Sequence, residues 1–243
     1  MTVLAILPAR YGSTRFPGKP LTPIAGKPMI QHVWERTREA KHVDAVAVAT
    51  DDERIRDACL AFGATVEMTD ANHPTGTDRL AEVAERYEHD LIVNVQGDEP
   101  LIEGFVVDAA IEAILGDESA AMSTIVHRAE PAAFEDPNRV KVVVDCNGLA
   151  LYFSRAPIPF RRNDTGLVPL QHVGLYTYRK DFLLDFVKLD RSPAEQAEEL
   201  EQLRALENGH RIRVAEIEGW TSVPVDVPSD VALVEAELAR QGG

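Results

Sequence analysis

Short, largely apolar runs recur along this chain with helical patterns between them, and this alternation restricts the fold more than any other feature. Thr2 to Leu7, Val43 to Ala49 (VDAVAVA) and Leu91 to Val95 (LIVNV) have the character of strands buried on both faces of a parallel sheet. Pro28 to Ala40 carries a helical pattern. A second helix starts after the acidic cap at Asp51 and stops at Gly63, and a third begins near Thr77 with Leu80, Val83 and Ala84 on one face. The pattern predicts an α/β fold: a doubly wound, mostly parallel, Rossmann-like sheet with right-handed crossovers.

The second half reads as a smaller, β-rich part. Val140 to Val144, the turn Asp145-Cys146-Asn147-Gly148 and Leu149 to Phe153 form a predicted hairpin, and Leu170 to Tyr178 a further strand. Ser192 opens a capping box with Glu195, which predicts one helix running to about Glu207. Pro228 to Arg240, with Leu233 and Leu238 as its apolar residues, reads as a terminal helix. Arg161 to Pro169 (RRNDTGLVP) is expected to be a mobile loop.

The 243 residues hold 40 Asp and Glu against 25 Lys and Arg, a formal charge of −15. Such a surface repels polyphosphate backbones and anionic lipid, so no nucleic-acid or membrane partner is expected. Cys59 and Cys146 lie far apart in the sequence, outside any CxxC or Cys/His cluster. They fit buried thiols of a reducing compartment better than a disulfide framework or a zinc site. No apolar run approaches the ~20 residues of a membrane span. The start, MTVLAILPAR, reads as a first strand and not as a signal peptide, which points to a cytoplasmic chain.

Against this acidic background one segment stands apart. LPARYGSTRFPGKPL (Leu7 to Leu21) holds Arg10, Arg15 and Lys19 among Gly12, Ser13 and Gly18. No acid occurs before Glu35, where the chain's average would place about five or six. Glycines that admit backbone amides, joined by cations at the end of a strand, are how α/β proteins hold phosphates. The segment is no Walker A loop: five residues separate Gly12 from Gly18 and Pro20 stands where Ser or Thr would bind magnesium. Neither is it GxGxxG.

Two further segments carry matching chemistry. Gln96-Gly97-Asp98-Glu99-Pro100 follows the strand Leu91 to Val95, and an acid just beyond a parallel strand lies where such sheets bind ligands. Asp98 suits a Mg-nucleotide site, since Mg²⁺ takes one or two carboxylates plus substrate phosphates; a turn or helix-cap acid is the plain alternative. Asp226, in PVDVPSD between a short strand and the last helix, is by itself most simply a cap. In HPTGTDRLAE, Thr75, Gly76 and Thr77 offer donors at a helix N-terminus with Arg79 one turn in. An anion or base site and an ordinary capped helix fit that segment equally.

LPARYGSTRFPGKPL resembles the nucleotide-binding signature of the sugar-acid cytidylyltransferases, and VNVQGDEP, HPTGTDRLAE, the late VDVP and LEQLR follow in that family's order. The resemblance implies a homodimeric enzyme, with its dimer contact in the second half, that uses CTP, Mg²⁺ and a sugar acid of the 3-deoxy-manno-octulosonate (Kdo) type. It places Arg10, Ser13, Arg15 and Lys19 on the triphosphate, and Thr75, Gly76, Arg79 and Gln96 on the nucleotide. Asp98 and Asp226 would hold magnesium, with Glu99 structural. In the second half it marks a sugar-acid set of His172, Tyr176, Glu201 and Gln202, to which Arg155, at the end of a hairpin strand, adds a partner for a carboxylate. His172 and Tyr176, four apart on a strand, face one side. Individually His172 and Tyr176 are as well read as core filler, and Glu201 as part of a solvated acidic face. A single cytidylyltransferase domain is expected, with a nucleotide core over about 1–128, an insertion over about 129–215 and a return over about 216–243. Departures lie in the short Arg161 to Pro169 loop and in the EGWTSVPVD approach to Asp226, so amino-Kdo or a nonulosonate are rival substrates. A nucleotide-sugar glycosyltransferase and a non-catalytic nucleotide sensor are more distant rivals.

Overall fold

The structure is a computed structural model; it describes residues 1–12, 16–163 and 165–241. It divides into two compact units, Met1–Asp108 with Ser222–Gly243, and Ala109–Thr221.

In the first unit the chain runs through β1 (Val3–Ala9), a ribbon of β2 (Pro23–Ile24) and β3 (Lys27–Pro28), α1 (Met29–Thr37), β4 (Ala45–Thr50), α2 (Glu53–Ala61), β5 (Thr65–Met68), α3 (Gly76–Ala84) and β6 (Leu91–Asn94). α4 (Gly104–Leu115) then leads out. β4 and β6 lie parallel on either side of β1, and β5 lies parallel to β4. The order β5-β4-β1-β6 reverses direction between β1 and β6, and ligands of open α/β sheets bind in the crevice at such a switch point. All of β1 except Pro8 is buried, as its unbroken apolar run predicts. α2 is capped by Asp52, whose Oδ1 accepts from Arg54 N at 2.9 Å. Asp51, expected as that cap, is paired elsewhere, with Arg79.

The second unit contains β7 (Met122–Arg128), α5 (Pro131–Phe134), β8 (Lys141–Val144), β9 (Ala150–Ser154), β10 (Leu170–Arg179), α6 (Lys180–Phe186), α7 (Pro193–Glu198), α8 (Gln202–Glu207) and β11 (Ile212–Glu216). β7 pairs in parallel with β11 and antiparallel with β10, and the start of β10 pairs with β8. β8 and β9 form the expected hairpin. Its turn is closed by Asp145 Oδ1, which accepts from Asn147 N and Leu149 N, both at 2.8 Å. Cys146 at this turn is exposed, contrary to the expectation of two buried thiols; only Cys59 is buried.

The helix expected from Ser192 to Glu207 is two helices. Glu199 adopts a left-handed φ of 50° between α7 and α8. The cause is distant in sequence: Arg155 donates from Nε to the Glu198 carbonyl at 2.7 Å and from Nη2 to the Glu199 carbonyl at 3.3 Å. Those carbonyls are drawn out of a continuous helical ladder. The chain returns to the first unit and ends in α9 (Asp230–Gln241). There Leu233 is exposed, and Val234 takes the buried position expected of it. The α/β class read from the sequence stands, with most parallel pairing in the first unit and most antiparallel pairing in the second. Among the described residues no helix is long and apolar enough to cross a membrane.

Candidate active site

Three strand ends of the first unit carry the predicted chemistry, and a fourth adds an acid expected only as a helix cap. β1 runs into the basic loop, β4 into Asp51, β5 into the His73 to Thr75 segment, and β6 into Gln96 to Asp98. Ser13 and Arg15 of the basic loop lie outside the described residues. Gly18, at φ 72°, donates its N–H to the Tyr11 carbonyl at 2.9 Å. A Cβ on Gly18 would stand 3.2 Å from the Tyr11 ring. The Tyr11 ring also carries Arg54, with its guanidinium carbon 3.3 Å from the centroid.

Lys19 extends from this turn between two other segments. Its Nζ donates to Asp98 Oδ2 at 3.0 Å and to the Val225 carbonyl at 2.9 Å. Val225 N donates to the Asp98 carbonyl at 2.9 Å, so the residues before Asp226 lie against Asp98. The strand expected there is not formed; besides the Lys19 bond, this backbone bond and the Glu99 carboxylate, which accepts from the Ser222 hydroxyl, help hold the segment. Asp226 N and Val227 N in turn donate to Asp230 Oδ2 at 2.8 and 3.0 Å. Beneath the junction, Ile24, Met29, Leu101, Val225 and Val234 form a buried cluster with Phe16 packed on it. One apolar core thus anchors the basic loop, the Asp98 segment and the Asp226 segment. Each such side chain contributes roughly 1.5–3 kcal/mol of burial to holding them there.

Arg10 and Arg79 act on the segment after β5. Arg10 Nη2 donates to the carbonyls of His73 at 2.8 Å and Thr75 at 2.6 Å. Thr75 caps α3 in a closed box: Thr75 N donates to Asp78 Oδ2 at 3.0 Å, and Asp78 N returns a bond to Thr75 Oγ1 at 3.2 Å. Gly76 sits against Pro8 of β1. Arg79 is fully buried; its Nη2 pairs with Asp51 at 3.1 Å, its Nη1 donates to the Thr69 hydroxyl, and among the described residues its Nε has no hydrogen-bond partner. Burial lowers its pKa, and Asp51 opposes that shift. Gln96 Nε2 donates to Asn94 Oδ1 at 3.2 Å.

The donor set fits magnesium. Asp98 is about one-third exposed, and only its Oδ2 carries a partner among the described residues. Its carboxylate and that of Asp226 offer the hard oxygens and low protein-ligand count that Mg²⁺ takes when phosphates supply the rest. Among the described residues no cluster of three or more His, Cys, Asp or Glu forms a complete protein cage.

In the second unit His172 and Tyr176 lie on one side of β10 with ring centroids 5.3 Å apart, and Phe153 meets His172 edge-on. They stay together across a bulge between Val173 and Tyr176. His172 Nε2 bonds Thr124 Oγ1 at 3.0 Å, and burial pushes the imidazole pKa down to about 3. Burial, with Tyr178 and Glu201 nearby, raises the Tyr176 phenol well above its usual range. Gln202 is 5% exposed, and its Nε2 has no hydrogen-bond partner among the described residues. Arg155 spends three N–H groups on the carbonyls of Pro137, Glu198 and Glu199 and, among the described residues, keeps two.

Sequence reasoning missed Asp51, Thr124, Ser222 and Lys141 as parts of this framework. Lys141 is fully buried and donates to the carbonyls of Asp136, Arg139 and Arg155 at 2.9, 2.6 and 2.7 Å. A cation opening the apolar strand KVVV was its available signal.

The cytidylyltransferase family profile matches residues 4–212 of the chain. The chain belongs to the cytidylyltransferase family. It is 56% identical to the 3-deoxy-manno-octulosonate cytidylyltransferase of Geobacter metallireducens and 53% identical to that of Syntrophotalea carbinolica. These alignments cover 99% and 98% of this chain and 99% of each relative. A solved CMP:2-keto-3-deoxy-manno-octonic acid synthetase, complexed with CTP, superposes with a TM-score of 0.95 at 44% identity, over 99% of this chain and all of that one. A cytidylyltransferase from Leptospira borgpetersenii, at 18% identity and a TM-score of 0.68, shares the fold; the match covers 99% of this chain and 87% of that one.

Proposed function

We propose that this cytidylyltransferase activates Kdo: CTP + Kdo gives CMP-Kdo and diphosphate. The observation that carries the reading is the junction of Lys19 with Asp98 and the Val225 carbonyl at the sheet's switch point. A cation-rich loop and a carboxylate meet there, where a polyphosphate and its metal belong.

The anomeric hydroxyl of the sugar acid attacks the α-phosphorus in line; the new C–O–P bond forms as the bond to the β-phosphate oxygen breaks, and the hydroxyl proton is released. Positioning and charge neutralisation carry such a transfer. Lys19, Arg10, Ser13 and Arg15 hold the triphosphate, with Lys19 and Arg10 stabilising the charge that moves onto the diphosphate. Thr75, Gly76 and Gln96 contact the nucleotide, over the buried cation of Arg79. Asp98 and Asp226 would hold Mg²⁺, which when bound would lower the pKa of the attacking hydroxyl and neutralise the leaving diphosphate. In the second unit His172, Tyr176, Glu201 and Gln202 take the hydroxyls of the sugar acid, and the two spare N–H groups of Arg155 serve its carboxylate. The buried Gln202 Nε2, without a hydrogen-bond partner among the described residues, supports this assignment.

Homodimers in the cytoplasm, supplying activated sugar acid to lipopolysaccharide or a related glycan, complete the reading. The test is diphosphate release with CTP, Mg²⁺ and Kdo, beside ATP, GTP and UTP, and with amino-Kdo or a nonulosonate in place of Kdo. Release that needs both CTP and Kdo is expected. CTP binding with release on another sugar acid replaces the sugar, and absence of CTP binding overturns the reading.

A further inference from the structure

α8 begins at the two residues that the proposed function sets against the sugar acid, Glu201 as its N-cap and Gln202 as its first residue. One helical turn on stands Arg204, 5% exposed, which reaches both ways. Its Nε and Nη2 donate to Glu195 Oε2 at 2.8 Å and Oε1 at 2.6 Å, a fork on a carboxylate that is itself 3% exposed. Its Nη2 also lies 3.4 Å from Glu201 Oε1, and its guanidinium sits over the Phe186 ring at 4.8 Å. Glu195 is saturated besides: Oε2 accepts from Ser192 N at 3.1 Å and Oε1 from Arg191 Nε at 3.3 Å. Both oxygens therefore fix the guanidinium plane, and that plane fixes where the Glu201 carboxylate stands. A buried ion pair is weak evidence for stability, because desolvation offsets most of its Coulomb gain, and its better-attested use is to specify a geometry.

Resting on the assignment of Glu201 and Gln202 to the sugar acid, we infer that Glu195 and Arg204 are positioning residues that set Glu201 and the first turn of α8 for sugar-acid binding. Arg204 touches no substrate in this role. A bidentate guanidinium cannot be exchanged for an ammonium without losing the plane, so Arg204→Lys keeps the charge and loses the alignment. Glu195→Asp keeps the ion pair and draws it back by one methylene. Both retain opposite charges in the buried pair, so both are expected to fold.

The experiment is steady-state kinetics of the full-length protein with KM for Kdo and for CTP measured separately, beside thermal melts. Arg204→Lys and Glu195→Asp are expected to raise the KM for Kdo about fivefold or more, with the KM for CTP within about twofold of the parent. A purely structural role would lower the melting temperature and the active fraction and leave both KM values in place; that result in either variant overturns the proposal. Glu201→Gln, run alongside, separates the two levels. If it raises the KM for Kdo while neither pair variant does, the positioning role alone falls. If it leaves that KM unchanged, the assignment of the sugar site falls, and the positioning role with it.

Discussion

One oxygen of Asp98 already carries a cation, Lys19, while the carboxylate stays partly open to solvent. That is the state expected of a metal ligand whose substrate brings the rest of the shell. Asp98→Asn keeps the shape and the hydrogen bond but removes the charge. It is expected to lower turnover by about 10²–10³-fold, the size seen when one electrostatic partner of a transition state is lost. Its circular dichroism and melting temperature should stay near those of the parent; near-normal turnover would overturn the proposed role of Asp98 as a metal ligand. Gly18 makes a different demand. Its φ of 72° strains any L side chain, and a Cβ there would stand 3.2 Å from the Tyr11 ring, which would have to shift. Gly18→Ala should cost about 1–2 kcal/mol in urea unfolding, with a raised KM for CTP because the turn that aims Lys19 shifts. The basic loop was legible because its charge contrasts with the rest of the chain. The Asp51–Arg79 pair was not, because its members lie on different elements and meet only once β4 and α3 are packed.

Among the elements, β10 and the α7–α8 corner show what local pattern can and cannot say. β10 was readable from its alternation, and its consequence is a pH dependence. The unfolded chain binds a proton at His172 below about pH 6.5, whereas the folded chain refuses it until about pH 3. Stability should therefore be undiminished above pH 6.5 and fall as pH drops through that window, by up to ~1.4 kcal/mol per pH unit. Urea midpoints at pH 7 and pH 5 check this, and His172→Gln should flatten the difference. The α7–α8 corner was unreadable: a capping box and good helix formers argue for one helix, and only Arg155, from β9's far end, draws the carbonyls at Glu198 and Glu199 away. Glu199→Gly should raise the melting temperature by a few degrees, since the left-handed conformation costs a non-glycine residue about 1 kcal/mol; a lower melting temperature would mean that Glu199's exposed pairing with Arg191 matters more. β7 was missed for a related reason. Its MSTIVHR reads as too polar for a core strand, yet Ser123 Oγ donates to the Ala110 carbonyl and Thr124 Oγ1 to that of Leu175, so those hydroxyls are satisfied in place.

Over the whole molecule, the predicted nucleotide residues belong to the first unit and the predicted sugar-acid residues to the second. Hydrogen exchange should register that division. CTP with Mg²⁺ at about a hundred times its dissociation constant stabilises by ~2.7 kcal/mol, and protection is expected around residues 8–12, 73–79 and 96–98. The start of α8 should respond only when Kdo is added; early protection there with CTP alone would count against separate ligand sets. The parallel strands β1, β4 and β6 were plain in the sequence because burial on both faces leaves few polar positions, whereas β5, with Thr65 and Glu67, and the short β11 carry too little of that signal. A last consequence comes from the two thiols. Cys59 is buried, with its pKa pushed up to about 12, while Cys146 is exposed at the hairpin turn. A maleimide dye should therefore attach at one position without any engineering. It would place a fluorescent reporter on the second unit and leave the nucleotide residues unlabelled.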